Sequence, residues 1–133
     1  MEDKLKDWGL LWLRVFMGLG IAYHGFGKVF GGNMEGLIAG VTSMGFPAPV
    51  FFAWAAALSE FAGGLLIAVG LFTRHAAFFV YLTMTVAACI VHGGDPFQKK
   101  ELALAYLVMA MAILLMGGGR YSLDARCCKK DAA

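Results

Sequence analysis

Four long apolar stretches follow one another along the chain, separated by glycine-rich or charged segments. They run from about Trp8 to Phe30, Val50 to Phe72, Arg74 to His92 and Glu101 to Gly119. A helix that crosses the hydrocarbon core of a bilayer needs about 20 mostly apolar residues, and each stretch comes near that length. Gly31-Gly32-Asn33, Gly93-Gly94-Asp95-Pro96 and Gly117-Gly118-Gly119-Arg120 mark the breaks, because glycine and proline punctuate regular structure. Between the second and third stretches Thr73-Arg74-His75 leaves room only for a tight turn.

The connection over residues 31–49 has a pattern of its own. Met34, Leu37, Ile38, Val41 and Met44 recur at helical spacing, which predicts a short amphipathic helix lying on the membrane surface. Gly45-Phe46-Pro47-Ala48-Pro49 ends it and opens the second span, since proline suits the first helical turn. The expected fold is all-α: a transmembrane four-helix bundle with an interfacial helix between helices 1 and 2. Residues 1–133 form a single membrane domain in this reading.

Small residues indicate which faces pack. Lipid does not drive apolar helices together as water does, so close approach depends on small side chains and polar contacts. In the second span Ala53, Ala56, Ala57, Glu60, Gly63 and Gly64 share one face. In the first, Gly18 and Gly25 share a stripe with Arg14, Ile21 and Lys28; in the third, Tyr81, Thr85, Ala88 and His92 do so.

Composition agrees with a bilayer solvent. Hydrophobic residues make up 60% of the 133 positions and charged ones 15%, and mean hydropathy is +0.72. A soluble domain of this size could not hide so much apolar surface. A net charge of +2 gives no basic field for nucleic acid. Cys89, Cys127 and Cys128 have neither zinc-type nor redox CxxC spacing and read as ordinary thiols. Residues 1–7 mix acids with lysines, Arg14 interrupts the first apolar run and no A-x-A site follows, so that run is expected to stay attached.

Charge also predicts orientation. An even number of spans puts both termini on one side, with Lys4, Lys6, Arg74, Arg120, Arg126, Lys129 and Lys130 against Lys28, Lys99 and Lys100 on the other. Setting Arg14 aside as intramembrane, the seven-to-three bias places both termini in the cytoplasm. Trp8, Trp12 and Tyr121 fit an aromatic belt at that interface.

Ionisable residues inside a bilayer are costly unless paired or wet, so each one marks a candidate site. Counted from the cytoplasmic end at about 1.5 Å per residue, Arg14 lies roughly 8 Å deep, Glu60 roughly 18 Å, His24 roughly 22 Å, His92 and Glu101 roughly 25 Å, and Lys28 roughly 28 Å. His24, Lys28, Glu60, His92 and Glu101 therefore gather in the outer half of the bundle. Arg14, His24 and Lys28 make one side of the first helix cationic, and Glu60 is the natural counter-charge, expected to pair with Lys28 or His24. Arg14 either reaches toward Glu60 or snorkels to the interface. Lys28 has a similar outward option, and His92 and Glu101 also fit a loop at the outer surface. Tyr23, Tyr81 and Tyr106 read as packing residues.

Several segments resemble the DoxX family. They are Arg14 early in the first span, His24-Gly25-Phe26-Gly27-Lys28 at its end, and Gly45-Phe46-Pro47-Ala48-Pro49. Glu60-Phe61-Ala62-Gly63-Gly64 follows, then Gly70-Leu71-Phe72-Thr73-Arg74, and finally Gly117-Gly118-Gly119-Arg120-Tyr121-Ser122-Leu123-Asp124. The resemblance covers nearly the whole chain. It implies a four-helix protein of a bacterial or archaeal cytoplasmic membrane, similar to the membrane subunit of thiosulfate:quinone oxidoreductase, with an oxidoreductase role dependent on a partner subunit.

The leading functional expectation is a redox-linked subunit that binds quinone or another small amphiphile through Arg14, His24, Lys28, Glu60, His92 and Glu101, with Glu60 able to relay protons. Glu60→Gln is then expected to keep the fold and lose quinone binding. Alternatives are a non-catalytic assembly subunit with a protein partner or a homo-oligomeric copy, and transport of a small solute. Haem or a metal held by His24 and His92 is a further alternative, but no HxxxH, ExxH or CxxCH spacing accompanies it.

Overall fold

The computed structural model describes residues 1–127. Cys128, Lys129 and Lys130, which entered the thiol and charge readings, lie outside the described residues. The described chain is all-helical: α1 (Glu2–Val29), α2 (Met34–Ser43), α3 (Pro49–Val69), α4 (Thr73–Val86), α5 (Phe97–Met116) and the short α6 (Leu123–Cys127). A π-helical turn, Ala87–Val91, prolongs α4.

Local signals set the helix ends. Pro49 opens α3 behind Ala48, which takes a left-handed conformation (φ 47°). Gly70 closes α3 at φ 77°, and Leu71 N–H reaches back to Leu66 O at 3.0 Å, the 6→1 bond of a Schellman motif. Gly117, at φ 76°, ends α5. The expected interfacial helix forms as α2, with Val41 buried and Gly36 and Gly40 exposed, and it packs on α3.

Among the described residues three helices are long and apolar enough to cross a membrane: Glu2–Val29, Pro49–Val69 and Thr73–Val91. The fourth bundle member, α5, spans 20 residues, but its first turns carry Lys99, Lys100 and Glu101. The helix begins at Phe97, behind Pro96, and stops at Met116, so it starts and ends earlier than the apolar pattern alone suggested.

The polarity of the fold is that of a bilayer protein. Trp12, Phe16, Phe26, Leu58, Phe79 and Val108 point outward, whereas Arg14 and Glu60 are buried at 2% exposure. The closest contact is between α1 and α3, across glycine. A methyl group on Gly18 would come within 2.5 Å of Gly64 O, and one on Gly64 within 2.6 Å of Gly18 O. Gly25 lies equally tight against the Glu60–Phe61 backbone. This approach holds the C-terminal half of α1 against α3 and sets Lys28 opposite Glu60. A Ser59–Thr83 hydroxyl pair at 2.7 Å ties α3 to α4, a polar contact of the kind that joins helices in lipid.

Candidate functional site

At the end of the bundle away from the N-terminus lies an open-sided cavity of about 150 Å³. Lys28 Nζ, at the end of α1, donates to both oxygens of Glu60, at 2.6 and 2.7 Å. The Glu60 side chain is 2% exposed and that of Lys28 30%, so the carboxylate is sealed while part of the lysine side chain is open to the surface. His24, one turn before Lys28, also lines the cavity, with its ring edge-on to Tyr106 of α5 at 5.9 Å. His92 and Lys99 complete the polar wall, and Ile21, Met84, Ala87, Leu102 and Ala103 supply the apolar one.

The π turn positions His92. Its N–H bonds Ala87 O at 3.0 Å across the widened turn, and Ala87 and His92 both face the cavity. Turns of this type recur at functional sites. His92 Nδ1 meets Asp95 Oδ2 at 2.9 Å. The His92 hydrogen bond, with help from Lys99, His92 and Lys100, outweighs desolvation and holds the Asp95 carboxyl below its ordinary value.

Of the six candidate residues, four line one cavity: His24, Lys28, Glu60 and His92. Two do not. Glu101 is exposed on α5. With α5 already helical from Phe97, the wheel turns residue 101 roughly 150° away from the face shared by Lys99, Leu102, Ala103 and Tyr106. Arg14 neither snorkels nor approaches Glu60. It is buried at the opposite end, where Nη1 donates to Gly118 O, Nη2 to Tyr121 O at 3.0 Å and Nε to Ala68 O at 3.4 Å. It ties the segment after α5 onto α1 and α3.

The same end holds a second device that the sequence reading lacked. Asp124 accepts from Phe72 N–H at 2.8 Å, Thr73 N–H at 2.9 Å and the Thr73 hydroxyl at 2.7 Å. It therefore caps the start of α4 from 51 positions away in the chain. Burial pushes its carboxyl up, but these three bonds and Arg14 outweigh that and hold it below the ordinary carboxylate value. Tyr106 and Lys99 were also missed as wall residues. Only their place beside the charged start of α5 could have suggested them.

The family model described as DoxX matches residues 9–93. The chain belongs to the DoxX family. The matched part of this DoxX protein runs from α1 through the π turn, so it includes His24, Lys28, Glu60 and His92 but not Lys99 or Tyr106. The chain is 34% identical over 123 residues to a Bacillus subtilis (strain 168) protein named "Putative oxidoreductase CatD", covering 92% of this chain and 89% of that one. It is 30% identical over 137 residues to an uncharacterized protein of Haemophilus influenzae (strain ATCC 51907 / DSM 11121 / KW20 / Rd), covering 96% and 97%. No solved structure matches it.

Among the described residues no three His, Cys, Asp or Glu side chains gather as a metal-holding group. A cavity of about 150 Å³ admits a single benzene-sized ring.

Proposed function

We propose that this DoxX protein is a redox-linked membrane subunit that binds the ring of a quinone, or of a similar small amphiphile, in the cavity between α1, α3, α4 and α5. One observation carries the reading: a ring-sized space in an otherwise apolar bundle is walled by an ion pair, two imidazoles and a phenol. A quinone headgroup requires an apolar slot with donors for its two carbonyl oxygens. Ile21, Met84 and Leu102 offer the slot, and Lys28, His24 and Tyr106 the donors. The oxidoreductase wording attached to the Bacillus relative agrees with this chemistry. The electron donor belongs to a partner subunit, and the chain lies in a cytoplasmic membrane with both termini in the cytoplasm, as the charge bias favours.

The test is saturable binding of a short-chain benzoquinone to the full chain in lipid nanodiscs, followed by ligand-detected magnetic resonance. Tyr106→Phe and Glu60→Gln are expected to fold and to bind at least about tenfold more weakly, the loss of one to two buried polar contacts. Unsaturable partitioning, or equal binding by wild type and both variants, refutes the reading.

A second reading is favoured by one feature. Lys28 occupies both Glu60 oxygens, so the pair also suits a purely structural role that fixes helix register in an assembly subunit. Binding that survives removal of the pair, with a partner still retained, decides for that reading.

A further inference from the structure

Within the cavity wall one ionisable group differs from the rest. Glu60 is sealed, and both its oxygens are held by Lys28. His24 packs edge-on against Tyr23 and Tyr106, with no carboxylate partner among the described residues. Lys28 and Lys99 are cations and cannot act as bases while charged. Among the lining residues described, His92 alone has a ring nitrogen on a carboxylate that reaches the surface, the two side chains being 35% and 36% exposed.

The chemistry of the pair fixes the roles of the ring nitrogens. An ionised carboxylate only accepts hydrogen bonds, so Nδ1 must carry the proton shared with Asp95 at 2.9 Å. In the neutral ring the basic lone pair then sits on Nε2. The loop stabilises this arrangement twice more, through Asp95 N–H to His92 O at 3.1 Å and the π-turn bond from His92 N–H to Ala87 O at 3.0 Å. A hydrogen-bonded carboxylate behind an imidazole both selects the tautomer and balances the charge when the ring takes a proton.

We infer that His92 is the proton acceptor for a hydroxyl-bearing aromatic ligand, quinol-like in class, and that Asp95 is its positioning residue. The inference rests on the ligand site proposed above. In the step, the ligand O–H bond breaks and an Nε2–H bond forms, while Nδ1–H remains on Asp95. The anion is left in a cavity whose wall carries Lys28 and Lys99, and the imidazolium is balanced by Asp95. The groups facing His92 are Asp95 in its own loop, His24 and Lys28 from α1, Glu60 from α3, and Lys99 and Tyr106 from α5. No electron transfer is needed for this step, so a phenol can test it.

The experiment uses 4-nitrophenol, whose anion absorbs visible light, with the full chain in nanodiscs, alongside nitrogen NMR of the histidine rings. In the wild type, His92 is expected as the Nδ1–H tautomer, with bound nitrophenol enriched in its anion relative to solution. Asp95→Asn should shift His92 toward Nε2–H and lower the anion-to-phenol ratio about tenfold, one unit of acidity, while the neutral phenol still binds. Asp95→Glu should restore most of the ratio. An Nε2–H ring in the wild type, or an anion ratio unmoved by Asp95→Asn, overturns the dyad and leaves the ligand site standing. Failure of nitrophenol to bind the wild type, even with the expected tautomer, overturns the ligand site and this inference with it.

Discussion

Removing the two members of the Lys28–Glu60 pair should not cost the same. Two unit charges about 2.6 Å apart attract by roughly 6 kcal/mol at an effective dielectric of about 20, most of it offset by desolvation. The variants differ in what each leaves behind. Lys28→Met strands a carboxylate whose side chain is 2% exposed, and breaking a buried pair in this way costs about 3–5 kcal/mol. Glu60→Met strands an ammonium on a flexible side chain that is 30% exposed. That group can swing toward the interface, so the cost should fall to about 1–2 kcal/mol. The double replacement by methionine removes both charges and fills similar volume, and such swaps are close to neutral. Thermal unfolding followed by helical circular dichroism in one fixed detergent ranks the four proteins. Lys28→Met should fall by about 10 °C or more, Glu60→Met by less than half of that, and the double variant should return close to the wild type. Equal single-variant losses, or a double variant no better than Lys28→Met, would refute the assignment of a sealed carboxylate and an escapable ammonium.

Gly64→Leu should force α1 from α3 and destabilise the protein by at least about 2 kcal/mol through overpacking, read in the same unfolding assay; no loss would contradict the backbone contact with Gly18. Asp124→Ala should cost about 1–2 kcal/mol at neutral pH, as loss of a helix cap does, with faster hydrogen exchange at Phe72 and Thr73. Because the folded carboxyl lies below its ordinary value, its contribution is complete above about pH 4 and fades as pH falls through the folded value. The gap between variant and wild type should therefore close in strong acid, and a gap independent of pH would show that the charge is irrelevant. In intact cells a Cys89→Ser, Cys128→Ser variant, which keeps Cys127 alone, should resist a membrane-impermeant maleimide until the cytoplasmic face is opened, with the variant lacking all three cysteines as the blank; immediate labelling reverses the proposed orientation.

Apolar length and small-residue spacing were enough to foresee α1, α3 and the amphipathic α2, and depth along the helices set Glu60 against Lys28 or His24, of which the structure pairs it with Lys28. These features depend on side-chain type at fixed helical intervals, which the sequence displays directly. What stayed hidden depends on partners without a residue signature. Arg14 looked like a member of the cationic stripe because its true acceptors are the carbonyls of Ala68, Gly118 and Tyr121, and any residue has a carbonyl. The π turn over Ala87–Val91 has no proline or glycine to announce it, yet it aims His92. Glu101 was misplaced because depth was counted without knowing that α5 begins at Phe97 and so rotates residue 101 outward. Asp95 passed for a loop residue because its role depends on the orientation of the ring three positions earlier.

The two ends of the bundle are built by opposite rules, and that contrast bears on function. At the end near the chain termini, Arg14 and Asp124 spend their charge on backbone groups: the guanidinium on three carbonyls and the carboxylate on two N–H groups and a hydroxyl. Groups satisfied in this way have little left to offer a ligand, and their arrangement locks α1, α3, α4 and the segment after α5 together. At the other end the charged and aromatic groups meet side chain to side chain around a space that they do not fill. A protein that needed buried charge only to fix helix register could have used the backbone-tied solution at both ends and packed the remainder with leucine. The open end instead keeps a ring-sized cavity beside an imidazole with a carboxylate behind it. Rigidity at the tied end allows that looseness to persist without the helices sliding to close it.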